Sequence, residues 1–157
     1  VRMLGPGGAY APDPTADWHL IAGDESALPA IAAALESLPE GAYVRAFVEV
    51  EGPDEEQQID THAEVAWLHR GERPVGQALV EAVRALDFPA GDVQAFVHGE
   101  AGFVKELRRV LRVEHQVPRE RLSVSGYWRL GHNEDGWQAS KPEWNAQVEA
   151  EQEQKAA

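Results

Sequence analysis

Apolar residues fall into two alternating patterns: short unbroken runs, and longer stretches with one apolar stripe at helical spacing. Trp18-His19-Leu20-Ile21-Ala22-Gly23 predicts a short buried strand. Ser26 to Leu38 predicts a helix, because Leu28, Ile31, Ala32 and Leu35 share a face. Pro29 is tolerated there because it lies in the first turn, and Pro39-Glu40-Gly41 stops the helix. Val44 to Val50 predicts a second strand, with Val44, Ala46, Val48 and Val50 on one side and Phe47 on the other. A polar loop, Glu51 to Thr61, leads to a third strand over Ala63 to His69. Val75 to Leu86 predicts a second helix, with Val75, Leu79, Val83 and Leu86 in one stripe. Val93 to His98 is the fourth predicted strand. Gly102 to His115 is the third helix, with Val104, Leu107 and Leu111 inward and Lys105, Arg108, Arg109 and Arg112 on a solvated face. Leu122 to Ser125 is the fifth strand. From Pro142 onward a helical tail is expected, with a fraying end.

Strands that alternate with helices imply right-handed crossovers and a mainly parallel sheet. The expected fold class is therefore α/β, a three-layer α/β/α sandwich on a five-stranded sheet. Such sheets bind ligands beyond the carboxyl ends of their strands. That rule selects Gly23-Asp24-Glu25-Ser26, Glu49 onward, His69-Arg70, His98-Gly99-Glu100-Ala101-Gly102 and Ser125-Gly126-Tyr127-Trp128.

Composition narrows the function classes. The 157 residues fit one domain, and cysteine is absent. Disulfides, thiolate nucleophiles and cysteine-ligated metals are excluded, and a reducing cytoplasm suits the chain. The formal charge of −13 repels phosphate backbones and anionic lipids, so no nucleic-acid or membrane partner is expected. No apolar run approaches the roughly 20 residues that span a bilayer. The six histidines are scattered without the spacing of a helical zinc pair, so no metal site is expected; no catalytic residue is assigned either.

Several segments have two readings. Gly23-Asp24-Glu25-Ser26 opens a helix, where free N–H groups suit an anion; two acids sit where a phosphate would approach, and the other reading is that Asp24 or Ser26 caps the helix. Gly99-Glu100-Ala101-Gly102 lets a backbone approach a flat ligand, or is a plain turn. Arg70, with Arg73 near it, would hold a 2′-phosphate or solvate a loop. Glu49 reaching a ribose would favour NADH, whereas Arg70 would favour NADPH. Tyr127 and Trp128, followed by Trp137 and Trp144, would stack on a cofactor ring or pin the C-terminal segment to the sheet.

The string Asp17-Trp18-His19-Leu20-Ile21-Ala22-Gly23-Asp24-Glu25-Ser26-Ala27-Leu28-Pro29-Ala30-Ile31 resembles the siderophore-interacting proteins. These are flavin-dependent ferric-siderophore reductases related to ferredoxin–NADP reductases. Ala66-Trp67-Leu68-His69-Arg70, His98 to Gly102, and Ser125 to Gly131 with Glu134-Asp135 agree in order and spacing. Gly5-Pro6-Gly7-Gly8 is similar to the linker that leaves the flavin domain in that family.

The resemblance implies a ferredoxin–NADP reductase-like NAD(P)H-binding domain at 17–137, preceded by a linker remnant at 1–16 and followed by an extension at 138–157. It implies that Gly23 to Ser26 line the nicotinamide and diphosphate side. His69 and Arg70 would lie near the adenosine, and Gly99, Glu100, Ala101 and Gly102 would support the nicotinamide end. Tyr127 and Trp128 would lie near the flavin. The FAD-binding barrel is not among these residues. The chain is thus expected to be one half of an NAD(P)H:ferric-siderophore oxidoreductase, with a flavin-binding domain as partner and a ferric siderophore as substrate. Without FAD the isolated chain is expected to be inactive. The alternative is a non-enzymatic module that binds a nucleotide or docks a protein.

Overall fold

The computed structural model describes residues 11–156, so the linker expected at Gly5-Pro6-Gly7-Gly8 lies outside the described residues. Five strands form one sheet: β1 (Trp18–Asp24), β2 (Val44–Val50), β3 (Val65–His69), β4 (Val93–Glu100) and β5 (Leu122–Trp128). Their order is β3-β2-β1-β4-β5, and every neighbouring pair is parallel. All seven residues of β1 are buried, as a central strand covered on both faces requires. The expected α/β class and mainly parallel five-stranded sheet are what the structure contains.

The helices are α1 (Leu28–Ser37), α2 (Gln77–Ala85), α3 (Ala101–Arg109) and α4 (Glu134–Ala156). On one face Ile31, Ala34 and Leu35 of α1 pack on Ile21, Ala46, Val48 and Phe96. On the other, Leu79 and Val83 of α2 and Val104 and Leu107 of α3 pack on Leu20, Ala22, Ala95 and Val97. Covering opposite faces is what right-handed crossovers demand when strand order reverses between β1 and β4. The carboxyl ends of those two strands therefore mark the switch point beside which such sheets place a ligand crevice.

Boundaries shift for local reasons. A 3₁₀ turn over Glu25–Ala27 precedes α1, because Asp24 caps it and Pro29 restricts the following turn. α3 stops at Arg109 and continues as a π-turn over Val110–Glu114. β5 runs on to Trp128, so Tyr127 and Trp128 are strand residues and not the start of a loop.

The basic face of α3 departs from expectation. Arg108 is buried, donating to Gln152 Oε1 at 2.6 Å and Glu153 Oε2 at 2.8 Å. Arg112 donates to the same Glu153 carboxylate through Nε at 2.8 Å. Gln152 Nε2 returns a hydrogen bond to the Lys105 carbonyl at 3.0 Å. Gln152 and Glu153 thereby hold the last turns of α4 to α3 and the turn that follows it. At its other end Trp137, fully buried, donates from Nε1 to the Gly126 carbonyl at 3.2 Å. Among the described residues no helix is long and apolar enough to cross a membrane.

Trp137→Ala removes the side chain that fixes α4 to β5. The loss expected from urea unfolding is about 3–5 kcal/mol, the range for truncating a buried aromatic.

Candidate functional site

Asp24 ends β1 with no exposed surface. Its Oδ1 accepts from the Ser26 amide at 2.9 Å and from Ser26 Oγ at 2.5 Å. Its Oδ2 accepts from the Glu100 amide at 3.0 Å and from Trp128 Nε1 at 3.1 Å. One carboxylate thus joins the ends of β1, β4 and β5. Burial raises its pKa, and the bonds from Ser26, Glu100 and Trp128 oppose that rise. The Ser26 amide is already taken, so the turn has the capped form.

The neighbouring glycines answer to packing. A Cβ on Gly23 would lie 2.5 Å from the His98 carbonyl oxygen and 2.8 Å from Ile31 Cδ1. Gly99 has φ of +144°, and its Cβ would sit 2.6 Å from Phe103 Cζ and 2.8 Å from Asp24. The space beside both is filled by the protein's own atoms. Glu100, also buried, caps α3 by accepting from the Phe103 amide at 3.2 Å through Oε1. Its Oε2 accepts from the Leu130 amide at 3.1 Å, which ties down the segment after β5. Ala101 is buried beneath this cap, and Gly102 is exposed in the first turn of α3.

A second network spans the other side of the crevice. Glu49, fully buried at the end of β2, accepts from the Gly76 amide at 2.9 Å and from Arg70 Nη1 at 3.0 Å. Burial raises its pKa, against the pull of the Gly76 N–H and Arg70. Having no exposed surface, Glu49 does not present its carboxylate at the crevice. Arg70 also donates from Nη1 to Glu25 Oε1 at 3.1 Å, and Nη2 pairs with Glu25 Oε2. Burial at Glu25 works against ionisation, but the Arg70 hydrogen bonds outweigh it and hold the carboxyl below its ordinary range.

Two of the selected residues stand apart. His69 pairs with Glu56 at 2.5 Å in the β2–β3 loop, separate from the Arg70 cluster. The Tyr127 hydroxyl lies 3.0 Å from His98 Nδ1, and His98 Nε2 lies 3.0 Å from Ser123 Oγ. The His98 ring stacks on Phe96 at 3.8 Å. Burial, with a contribution from Lys141, pushes the His98 pKa down to about 4 despite the Ser123 contact, so the imidazole is neutral at pH 7. Arg73 pairs with Glu81 of α2 at 3.1 Å and not with the Glu25 and Glu49 carboxylates that hold Arg70.

Sequence reading did not foresee the roles of the Gly76 amide or Ser123. The alternation of β5 was the available signal: it puts Ser123 and Tyr127 on one face, next to His98 of β4. Among the described residues no group of three or more His, Asp or Glu could hold a metal ion.

Asp24→Ala would strand the buried Glu100 amide, at a cost of about 1–3 kcal/mol, and take the acceptor from the part-buried Ser26 amide and Trp128 indole N–H as well. Chemical denaturation should register a loss at the upper end of that range or beyond. His98 should titrate near pH 4 by imidazole proton NMR. Because its folded pKa is depressed, the unfolded chain binds the extra proton first. Its contribution to stability is complete above about pH 6.5 and is lost as the pH falls toward 4.

The profile of the siderophore-interacting protein family matches residues 16–131. An uncharacterized protein of Mycobacterium tuberculosis is 49% identical over 156 residues, covering 91% of this chain and 55% of the relative. The ferric vibriobactin reductase ViuB of Vibrio cholerae is 38% identical over 143 residues, covering 86% of this chain and 51% of that protein. The crystal structure of a siderophore utilization protein from T. fusca superposes with a TM-score of 0.70 at 40% identity, covering 80% of this chain and 49% of the other. The chain spans about half the length of the curated relatives it matches. Motif order, sheet topology and these matches agree: the chain belongs to the siderophore-interacting protein family.

Proposed function

We propose that the chain is the NAD(P)H-binding half of a flavin-dependent ferric-siderophore reductase, working in the cytoplasm. The observation that supports this best is the reversal of strand order between β1 and β4, beside which Asp24 ties three strand ends into one surface. A role in ferric-siderophore reduction fits the family and the likeness to ViuB. The flavin would be held by a further domain of the parent protein. When bound, the two cofactors supply hydride donation and its division into single-electron steps toward iron.

This chain's residues divide into supports and contacts. Asp24, Glu49, Glu100, Gly23, Gly99 and Ala101 are buried and would hold the loops in place. Glu25, Ser26, Gly102, Tyr127 and Trp128 keep exposed surface at the edge and would meet the pyridine nucleotide. Asp24 and Glu100 already cap the turns that open α1 and α3, so the diphosphate would find other donors, and Arg70 would lie toward the adenosine. His69 would lie toward the adenosine. Trp128 has its indole N–H anchored on Asp24, and Tyr127 has its hydroxyl anchored beside His98, which leaves ring faces for stacking on nicotinamide or flavin. An anionic ferric chelate would be drawn to the cations around Trp144: Lys105 and Arg129 lie 5.2 and 4.0 Å from its ring, and Lys141 sits one turn earlier on α4.

Calorimetric titration with NADH and NADPH tests the reading. Binding of at least one at sub-millimolar concentration is expected, and silence from both at millimolar levels contradicts it. The chain alone should not reduce a ferric siderophore, and adding the parent's flavin domain should restore turnover.

A further inference from the structure

We propose that Glu25 sets the choice between the two pyridine nucleotides, by occupying the Arg70 guanidinium that would otherwise take a phosphate on the adenosine ribose. This rests on the pyridine-nucleotide reading above and adds a specificity-determining residue to it.

The sheet order places the three partners in a row. Arg70 follows β3, Glu49 is the penultimate residue of β2, and Glu25 follows β1, so the Arg70 side chain crosses the end of β2. In doubly wound sheets the adenosine ribose lies over that strand end. Arg70 is fixed there by its backbone, since its amide donates to the Val50 carbonyl at 2.8 Å. Glu49 holds Nη1 from below and is itself held by the Gly76 amide, so this half of the clasp is permanent. Glu25 is different. Its side chain is 40% exposed, whereas that of Arg70 is 14% exposed, and Arg70 is its only side-chain partner among the described residues. It is the half of the clasp that an incoming group can displace.

Charge decides what that group is. Two carboxylates on one guanidinium leave the cluster with a net charge of about −1. A ribose phosphate must overcome that charge and compete with Glu25 for the Nη2 edge. A ribose with free hydroxyls has no such contest and can donate to the Glu25 carboxylate. The clasp as built therefore favours NADH. Replacing Glu25 by Gln leaves Arg70 aimed by Glu49 with its Nη2 edge open and the cluster neutral.

The test is calorimetric titration of the full chain with NADH and with NADPH, in the wild type, Glu25→Gln and Glu81→Gln. Glu81 pairs with Arg73 and makes no bond to Arg70, so its variant removes the same charge without freeing Arg70. Glu25→Ala is a second route to the same change, and thermal melts check that each variant is folded. Wild type should bind NADH more tightly. Glu25→Gln should shift the NADPH-to-NADH affinity ratio about tenfold toward NADPH, the scale of one charge-assisted hydrogen bond, and Glu81→Gln should leave it in place. An unchanged ratio in both Glu25 variants, an equal gain for both nucleotides, or the same shift in Glu81→Gln overturns the proposal while the pyridine-nucleotide reading stands. Absence of binding by either nucleotide in every protein overturns that reading and this proposal with it.

Discussion

One buried carboxylate organises the carboxyl edge of the sheet. Asp24 accepts from Ser26, Glu100 and Trp128, residues that belong to three different strand exits. Without it those exits would lose their common acceptor, and the buried Glu100 amide would be left unsatisfied. Burying the group is costly, and burial does raise its pKa, but the surrounding donors make its carboxylate the common acceptor. The positive φ at Gly99 belongs to the same arrangement. Only a residue without Cβ lets the β4 exit close on Asp24 and Phe103.

The same economy of acids shapes the rest of the site. Helix openings in doubly wound folds commonly receive phosphates. Here the turn before α1 and the start of α3 are closed by the chain's own Asp24 and Glu100. Glu49 is used in the same manner against Gly76. The guanidinium that follows β3, that of Arg70, is likewise already held by two carboxylates. The formal charge of −13 is thus not spread evenly as solvated surface. Part of it is buried structure that fixes the crevice.

Much of the fold was legible in the sequence. The two spacings of apolar residues give β1 and β2 nearly to the residue, and the stripes of α2 and α3 correctly mark the faces turned to the core. The site residues were legible as positions at strand ends, because the parallel topology dictates where a crevice must be. Their partners were not. Asp24 and Trp128 are 104 residues apart in the chain, and no local pattern announces that their side chains meet. Arg108 looked like a solvated helix face because the seven-residue pattern around it carries no trace of α4, which reaches it 44 residues later through Gln152. The fifth strand was expected to end at Ser125, where Gly126 follows, yet pairing of Trp128 with Glu100 across a register shift carries β5 on to Trp128.

The central claim is that a pyridine nucleotide lies along the edge that Asp24 ties together. Backbone amide NMR of the chain, recorded with and without NADH or NADPH, tests it most directly. The account predicts shifts concentrated at 23–26, 99–102 and 126–128, with a further set at 69–71, and little change along α4 beyond its first turns. Shifts confined to other surfaces, or none at saturating nucleotide, would contradict it.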